Sequence, residues 1–342
     1  MQAGKDASHL SASRHHLCPR PKQKGALPVE SKHIVIAGCH KSGTTSLYTY
    51  LSWHPAISAS PTKETNFFLE HPEGTARDYE RMFVATPGKD IFMEASPDYF
   101  YGGSVVAARL KKALPKLHVV ILIRNPVDKV FEQFNHNKKA MYVDRAWSFD
   151  DYMKDIPLDE VNEAYRKGER YKEERGKRPE DAIEPSLAEA RKKLLVCGFL
   201  YEDLFQWTEV FSKEELSIVW FDDFARDPRT ILKRLSTKVG FDPTFYDRAK
   251  FPIENASWIY RNATLHRASR RFFKSYEPFF RRHYSVKRRL RSAYFALNGI
   301  SIKDQISLDT RRRLQDVYRE DLGKLQRLLR DIGYASLPDW LL

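Results

Sequence analysis

The chain has 342 residues, 42% hydrophobic and 13% aromatic, enough to fill one substantial core or a core with a lobe. Its 58 Lys and Arg against 45 Asp and Glu leave a formal charge of +13, most of it carried by one late segment. A membrane span is excluded by an apolar run, Val119 to Ile123, far short of the ~20 residues needed, and three scattered cysteines (Cys18, Cys39, Cys197) support neither a disulfide framework nor a zinc site.

Residues 1–31 have no apolar signal-peptide centre and are rich in polar, basic and proline residues, which predicts a loosely ordered basic tail before a single domain over 32–342. The lack of an anchor favours the cytoplasm, with the Golgi lumen the alternative if an anchor is missing from the sequence. A strand at Ile34-Val35-Ile36 then runs into Gly38-Cys39-His40-Lys41-Ser42-Gly43-Thr44-Thr45 and a helix start. Backbone N–H groups and a helix dipole would converge there on one anion. In the GxxxxGK[ST] phosphate loop the lysine follows the second glycine, whereas Thr44 fills that slot here and Lys41 lies inside the loop. The plain alternative is a strand, a turn and a capped helix with no ligand.

Next comes Pro61-Thr62-Lys63-Glu64-Thr65-Asn66-Phe67-Phe68, where a Lys-Glu pair beside two phenylalanines suggests ionisable groups at the mouth of an apolar cleft. Partial desolvation would raise the Glu64 pKa toward working pH, which suits a general base; otherwise it is a solvated loop acid. The stretch Glu94-Ala95-Ser96-Pro97-Asp98-Tyr99-Phe100 follows a strand near 91. A buried parallel strand is expected at Val119 to Ile123, closed by Arg124-Asn125-Pro126 with Pro126 opening a helix. Arg124 at that strand end could grip a phosphate through two hydrogen bonds, or simply form an ion pair. A fourth strand is expected at 216–221, and Trp207 and Phe211, four apart, belong to the core. Strands alternating with helical stretches predict a three-layer α/β fold with a central parallel sheet flanked by helices.

Two segments stand out by charge. From Asp159 to Lys193, 20 of 35 residues are charged with both signs mixed, which reads as a solvated helical excursion within 151–193. Arg261 to Arg291 holds eleven Lys and Arg against one acid, Glu277, interleaved with aromatics that continue to 295. A merely solvated basic face, a lid over an anionic ligand, an anionic membrane or polyanion surface, and a nucleic-acid patch compete for it; the lid is favoured for its first part, near Arg261 and Arg267, and nucleic acid is the least favoured.

GxxxxGTT with an internal lysine, followed in order by the Arg124-Asn125-Pro126 motif after a later strand, resembles sulfotransferases of the bacterial and carbohydrate type. These use 3′-phosphoadenosine 5′-phosphosulfate (PAPS) as donor, and the resemblance spans residues 32–342. It implies transfer of a sulfuryl group to a hydroxyl, most readily of a glycan or glycolipid, leaving adenosine 3′,5′-bisphosphate (PAP), with no metal required. Lys41 would stabilise the departing phosphate, Ser42, Gly43, Thr44, Thr45 and Ser46 would hold the 5′-phosphate, and Arg124 with Arg261 would hold the rest of the donor. Glu64 would take the acceptor proton, with Lys63, Phe67, Phe68 and Tyr99 as acceptor contacts. Relatives acting on heparan usually carry lysine where Ala95 stands. The family serine eight residues after Arg124 is Glu132 here, which leaves Lys129, Gln133 or another loop to supply the missing donor. The rival readings are a phosphate-loop nucleotide kinase and a non-catalytic polyanion-binding relative.

Overall fold

The structure, a computed structural model, describes residues 31–84, 86–166, 186–252, 258–276, 279–280, 284–301 and 304–342. The tail, most of the charged excursion (167–185), Glu277 and Pro278 lie outside the described residues. Strands β1 (Lys32–Gly38), β2 (Ile57–Ala59), β3 (Ile91–Ala95), β4 (Leu117–Ile123) and β5 (Leu216–Trp220) form one sheet in the order β2-β3-β1-β4-β5, every neighbouring pair parallel. Around it lie α1 (Thr44–Ser52), α2 (Gly103–Ala113), α3 (Pro126–Lys139), α4 (Tyr201–Thr208), α5 (Pro228–Val239), α6 (Ala263–Ser275), α7 (Tyr284–Asn298) and α8 (Leu308–Asp331). The four expected strands are present, and β2, only three residues long, is an addition.

Successive side chains of a strand point to opposite faces, and here both faces are covered, which is why β1 and β4 contain the apolar runs Ile34 to Ala37 and Val119 to Ile123. Val35, Ala37, Val119, Ile121 and Ile123 pack against α2 and α4. Ile34, Ile36, Val120 and Leu122 pack against α1 and α5. Trp207 on α4 is fully buried, donates its indole N–H to the Phe100 carbonyl at 3.0 Å and stacks on Phe211. It belongs to the core as expected, and truncating such a side chain costs about 3–5 kcal/mol.

A third apolar cluster joins α3 and α8 to the helices Phe149–Met153, Leu158–Arg166 and Leu187–Val196. The described part of the charged excursion therefore turns Val161 and Ala164 inward, and Leu194 and Leu195 follow it directly into the core. Strands β6 (Trp258–Tyr260) and β7 (Gly299–Ser301) pair antiparallel and bracket α6 and α7. Asn262 caps α6 by accepting from the Leu265 N–H at 2.9 Å. Among the described residues no helix is long and apolar enough to cross a membrane.

Strand order decides where a ligand can sit. The chain leaves β1 for β2 and β3 on one side, then crosses over to β4 on the other. A crevice opens at the carboxyl end of β1, where such reversals place ligands in open α/β sheets.

Candidate active site

Between β1 and α1 the chain makes a tight loop whose geometry demands its two glycines. A Cβ on Gly38 would lie 2.6 Å from the Phe100 Cβ, so strand and neighbouring turn could not approach as they do. Gly43 sits at φ +86° as the residue before α1, with the Phe221 ring 3.0 Å from where a Cβ would be. Lys41 also adopts a left-handed conformation, φ 58°, a cost that non-glycine residues carry mainly at functional turns. The Cys39 N–H donates to the Leu122 carbonyl at 2.7 Å and pins the loop to β4. Burial pushes the Cys39 thiol up to about 12, consistent with an inert filler. Among the described residues no side chain caps the first turn of α1, which leaves its N–H groups available to an anion.

That crevice is a cleft of ≈ 1240 Å³ lined by Lys41, Gly43, Thr44, Thr45 and Ser46 from the loop, by Lys63 and Glu64, and by Arg124. Its volume exceeds the usual range for a single drug-sized ligand, leaving room for two reactants. Ser42 is different: it is fully buried, and its hydroxyl donates to the His40 carbonyl at 3.4 Å.

Arg124 closes the strand β4. Its Nη1 donates to the Lys41 carbonyl at 3.0 Å and its guanidinium lies 4.3 Å from the centre of the Phe221 ring. The loop lysine and the strand-end arginine are thus mechanically joined across one cleft. Nη2 of Arg124 stands 3.8 Å from Glu132 on α3, with both side chains largely covered. Neither substitute named from sequence faces this point. Lys129 is fully buried and donates to the Cys197 carbonyl, while Gln133 donates to Asn137 at 3.1 Å.

Asn125 caps α3 by accepting from the Val127 N–H at 2.9 Å, and Pro126 takes the first helical position. The helix then presents Glu132, Asn135, His136 and Lys139, spaced i, i+3, i+4 and i+7, to the cleft. Among the described residues neither amide atom of the buried Asn135 has a hydrogen-bond partner. Burial, with Lys41 and Lys139 adding, holds His136 below its ordinary pKa and favours the neutral ring. Lys139 is pushed down to about 7 by burial, with Arg291 and Lys41 adding.

Glu64 occupies a left-handed position, φ 64°, and its N–H donates to the Ala95 carbonyl at 2.9 Å. The expectation of a raised pKa is corrected here. Burial does push it up, but the Lys63 charge, a 2.7 Å hydrogen bond from that ammonium and the nearby His40 together outweigh it. With the side chain 40% exposed, Glu64 is held below the ordinary carboxylate value. It stands ionised and able to accept a proton.

Several sequence candidates lie elsewhere. Phe67 and Phe68 are core residues, turned inward by the left-handed Asn66. Tyr99 is also buried, donates to Glu94 at 2.8 Å and accepts from the Phe68 N–H at 3.1 Å. None of the three lines the cleft. Arg261 is exposed and outside the cleft wall; its backbone is clamped by Asn298 and Arg145. The basic wall comes instead from Arg267, Arg270 and Arg271 on α6 and Arg291 on α7. Of these, only Arg267 was singled out from sequence.

A family model described as the sulfotransferase domain matches residues 31–326. Bifunctional heparan sulfate N-deacetylase/N-sulfotransferase 3 of Homo sapiens is 22% identical over 320 residues, 90% of this chain and 31% of that protein. Heparan sulfate N-deacetylase/N-sulfotransferase 1 of Homo sapiens is 32% identical over 113 residues, 31% of this chain and 13% of its own length. The chain thus spans less than a third of these curated relatives. Membrane-associated sulfotransferase kil1 of Dictyostelium discoideum is 21% identical over 271 residues, 61% of this chain and 57% of that one. A solved sulfotransferase from Alicyclobacillus acidocaldarius superposes with a TM-score of 0.56 at 20% identity, covering 91% of this chain and 99% of its own, and so shares the fold. With a loop, a strand-end arginine and a sheet order that agree with that match, the chain belongs to the sulfotransferase domain family.

Proposed function

We propose that the cleft transfers a sulfuryl group from PAPS to a hydroxyl of a carbohydrate or glycolipid acceptor. One observation carries the reading: Lys41 and Arg124 line the same cleft, and the arginine donates to the lysine's own carbonyl at 3.0 Å. A donor phosphorylated at both ends of its ribose needs two cationic grips at a fixed separation, and this link supplies the rigidity.

The residues fit such a donor. Gly43, whose side-chain space is taken by Phe221, lets backbone N–H groups reach a 5′-phosphate beside Thr44 and Thr45 at the start of α1. Arg124 holds the 3′-phosphate, and Arg267, Arg270 and Arg271 close over the nucleotide in place of Arg261. Glu64, already ionised, takes the proton as the acceptor oxygen bonds to sulfur. Lys41 stabilises the negative charge that builds on the phosphate oxygen as the old S–O bond breaks, and PAP leaves with that electron pair. Lys63 fixes the orientation of Glu64. The relatives named for heparan sulfate support a carbohydrate acceptor.

Calorimetric titration with PAP, with ATP and magnesium, and with a short polyanion tests the reading. Tight binding of PAP alone is expected. Preference for ATP with magnesium would favour a kinase, against which Thr44 in the lysine slot already argues. Binding of the polyanion alone, weakening with salt, would favour a non-catalytic protein.

A further inference from the structure

Two of the helices that wall the cleft, α6 and α7, are amphipathic in an inverted sense. A surface helix normally buries its apolar stripe and shows its charges to water. On α6 the residues Leu265, Ala268 and Phe272, with Tyr276 one residue past its end, are spaced i, i+3, i+7 and i+11 and are all exposed, while Arg267, Arg270 and Arg271 line the cleft. On α7, Val286, Leu290, Ala293 and Leu297 form the same kind of exposed stripe, with Arg291 on the cleft side. Among the described residues, eighteen large apolar side chains are exposed, and nine of them fall between Leu265 and Ile300. Tyr276 is 54% and Leu297 67% exposed. Such a concentration marks an interaction surface.

Charge selects the occupant. Arg261 to Arg291 carries eleven Lys and Arg against Glu277 alone, and with the four arginines that line the cleft set aside seven still stand against that one acid, a net +6. A second copy of the chain would bring the same charge and be repelled. A soluble polyanion would answer the arginines but leave the apolar stripes in water. An anionic bilayer answers both, because aromatic and aliphatic side chains enter the acyl boundary while arginines meet the headgroups. We propose that α6 and α7 dock this protein on an anionic membrane surface. If the sulfotransferase reading holds, the acceptor hydroxyl then comes from a membrane-borne molecule, delivered beside the docked helices into the cleft.

Cosedimentation of the full chain with phosphatidylcholine vesicles, with and without phosphatidylserine, reads this directly. Binding is expected only with phosphatidylserine and should weaken with added salt. The double variant Phe272→Gln with Leu290→Gln should lose about tenfold or more in partitioning, with unchanged thermal unfolding and PAP affinity. Arg289→Gln, also exposed, should flatten the salt dependence. No binding to either vesicle overturns the proposal, and so does a double variant that binds as the wild type does, since charge alone would then explain attachment. A wild-type dimer in light scattering that the double variant dissociates would assign the stripes to a second copy. Failure of PAP to bind would sink the donor assignment while leaving the vesicle result standing.

Discussion

Replacing Glu132 by Gln should tighten PAP binding. Glu132 stands 3.8 Å from Arg124, the residue assigned to the 3′-phosphate, and so competes with that phosphate for the guanidinium. At an effective dielectric of ~20 a unit pair at this distance interacts by about 4 kcal/mol. The side chains are 18% and 26% exposed, and pairs open to solvent retain only about 0.2–1 kcal/mol in measurement, so a value between these limits applies. Taking roughly 1.4 kcal/mol as the part recovered when the acid is neutralised gives about a tenfold gain in PAP affinity for Glu132→Gln. Arg124→Gln should lose about a hundredfold or more, as two charge-assisted hydrogen bonds disappear. Isothermal titration at low and at physiological salt measures both, and the Glu132→Gln gain should shrink as salt rises. A folded Glu132→Gln protein whose PAP affinity is unchanged or weaker would refute the reasoning and leave Arg124 as an ion pair at a strand end.

Glu64→Gln should lower turnover by roughly 10²–10⁴ with little change in PAP affinity, measured by steady-state transfer and calorimetry side by side. Because Lys63 holds Glu64 below the ordinary carboxylate pKa, the base is ionised at neutral pH, and its activity is lost only as pH falls through that lowered value. Lys63→Met removes the nearest countercharge and its hydrogen bond, leaving His40 as the remaining group that opposes burial, so the acid limb of the pH–rate profile should move upward; a limb that stays in place would remove Glu64 from the base role. Lys139, held at about 7, is half protonated in the free protein near neutrality. A bound anion should raise that value, so PAP binding near pH 7 to 8 should take up a proton, seen as a binding enthalpy that varies with buffer ionisation heat.

The sheet was legible because both its faces are buried: β1, β4 and β5 carry the apolar runs Ile34 to Ala37, Val119 to Ile123 and Ile218 to Trp220, followed by a glycine loop, an arginine and a helix start. β2 escaped because three residues, Ile57, Ser58 and Ala59, carry no period. Lys41 and Arg124, which line the cleft, belong to local motifs whose neighbours in sequence are also neighbours in space. Phe67, Phe68 and Tyr99 were misplaced for the opposite reason. Two left-handed residues, Glu64 and Asn66, turn the chain so that an acid at the cleft is followed at once by core aromatics, and such a turn leaves no mark in composition. Asn135, His136 and Lys139 did have a signal: once Pro126 starts a helix, they fall on the face of Glu132 by spacing alone. That Arg267 rather than Arg261 reaches the wall depends on where α6 begins, which the Asn262 cap sets.

Single-turnover sulfuryl transfer from labelled PAPS by the wild type and by Lys41→Ala tests the role of the loop lysine most directly. Lys41→Ala should be slower by about 10²–10³, with the same thermal unfolding midpoint, because a positioned charge at the departing phosphate is gone. Equal rates at saturating donor would contradict it.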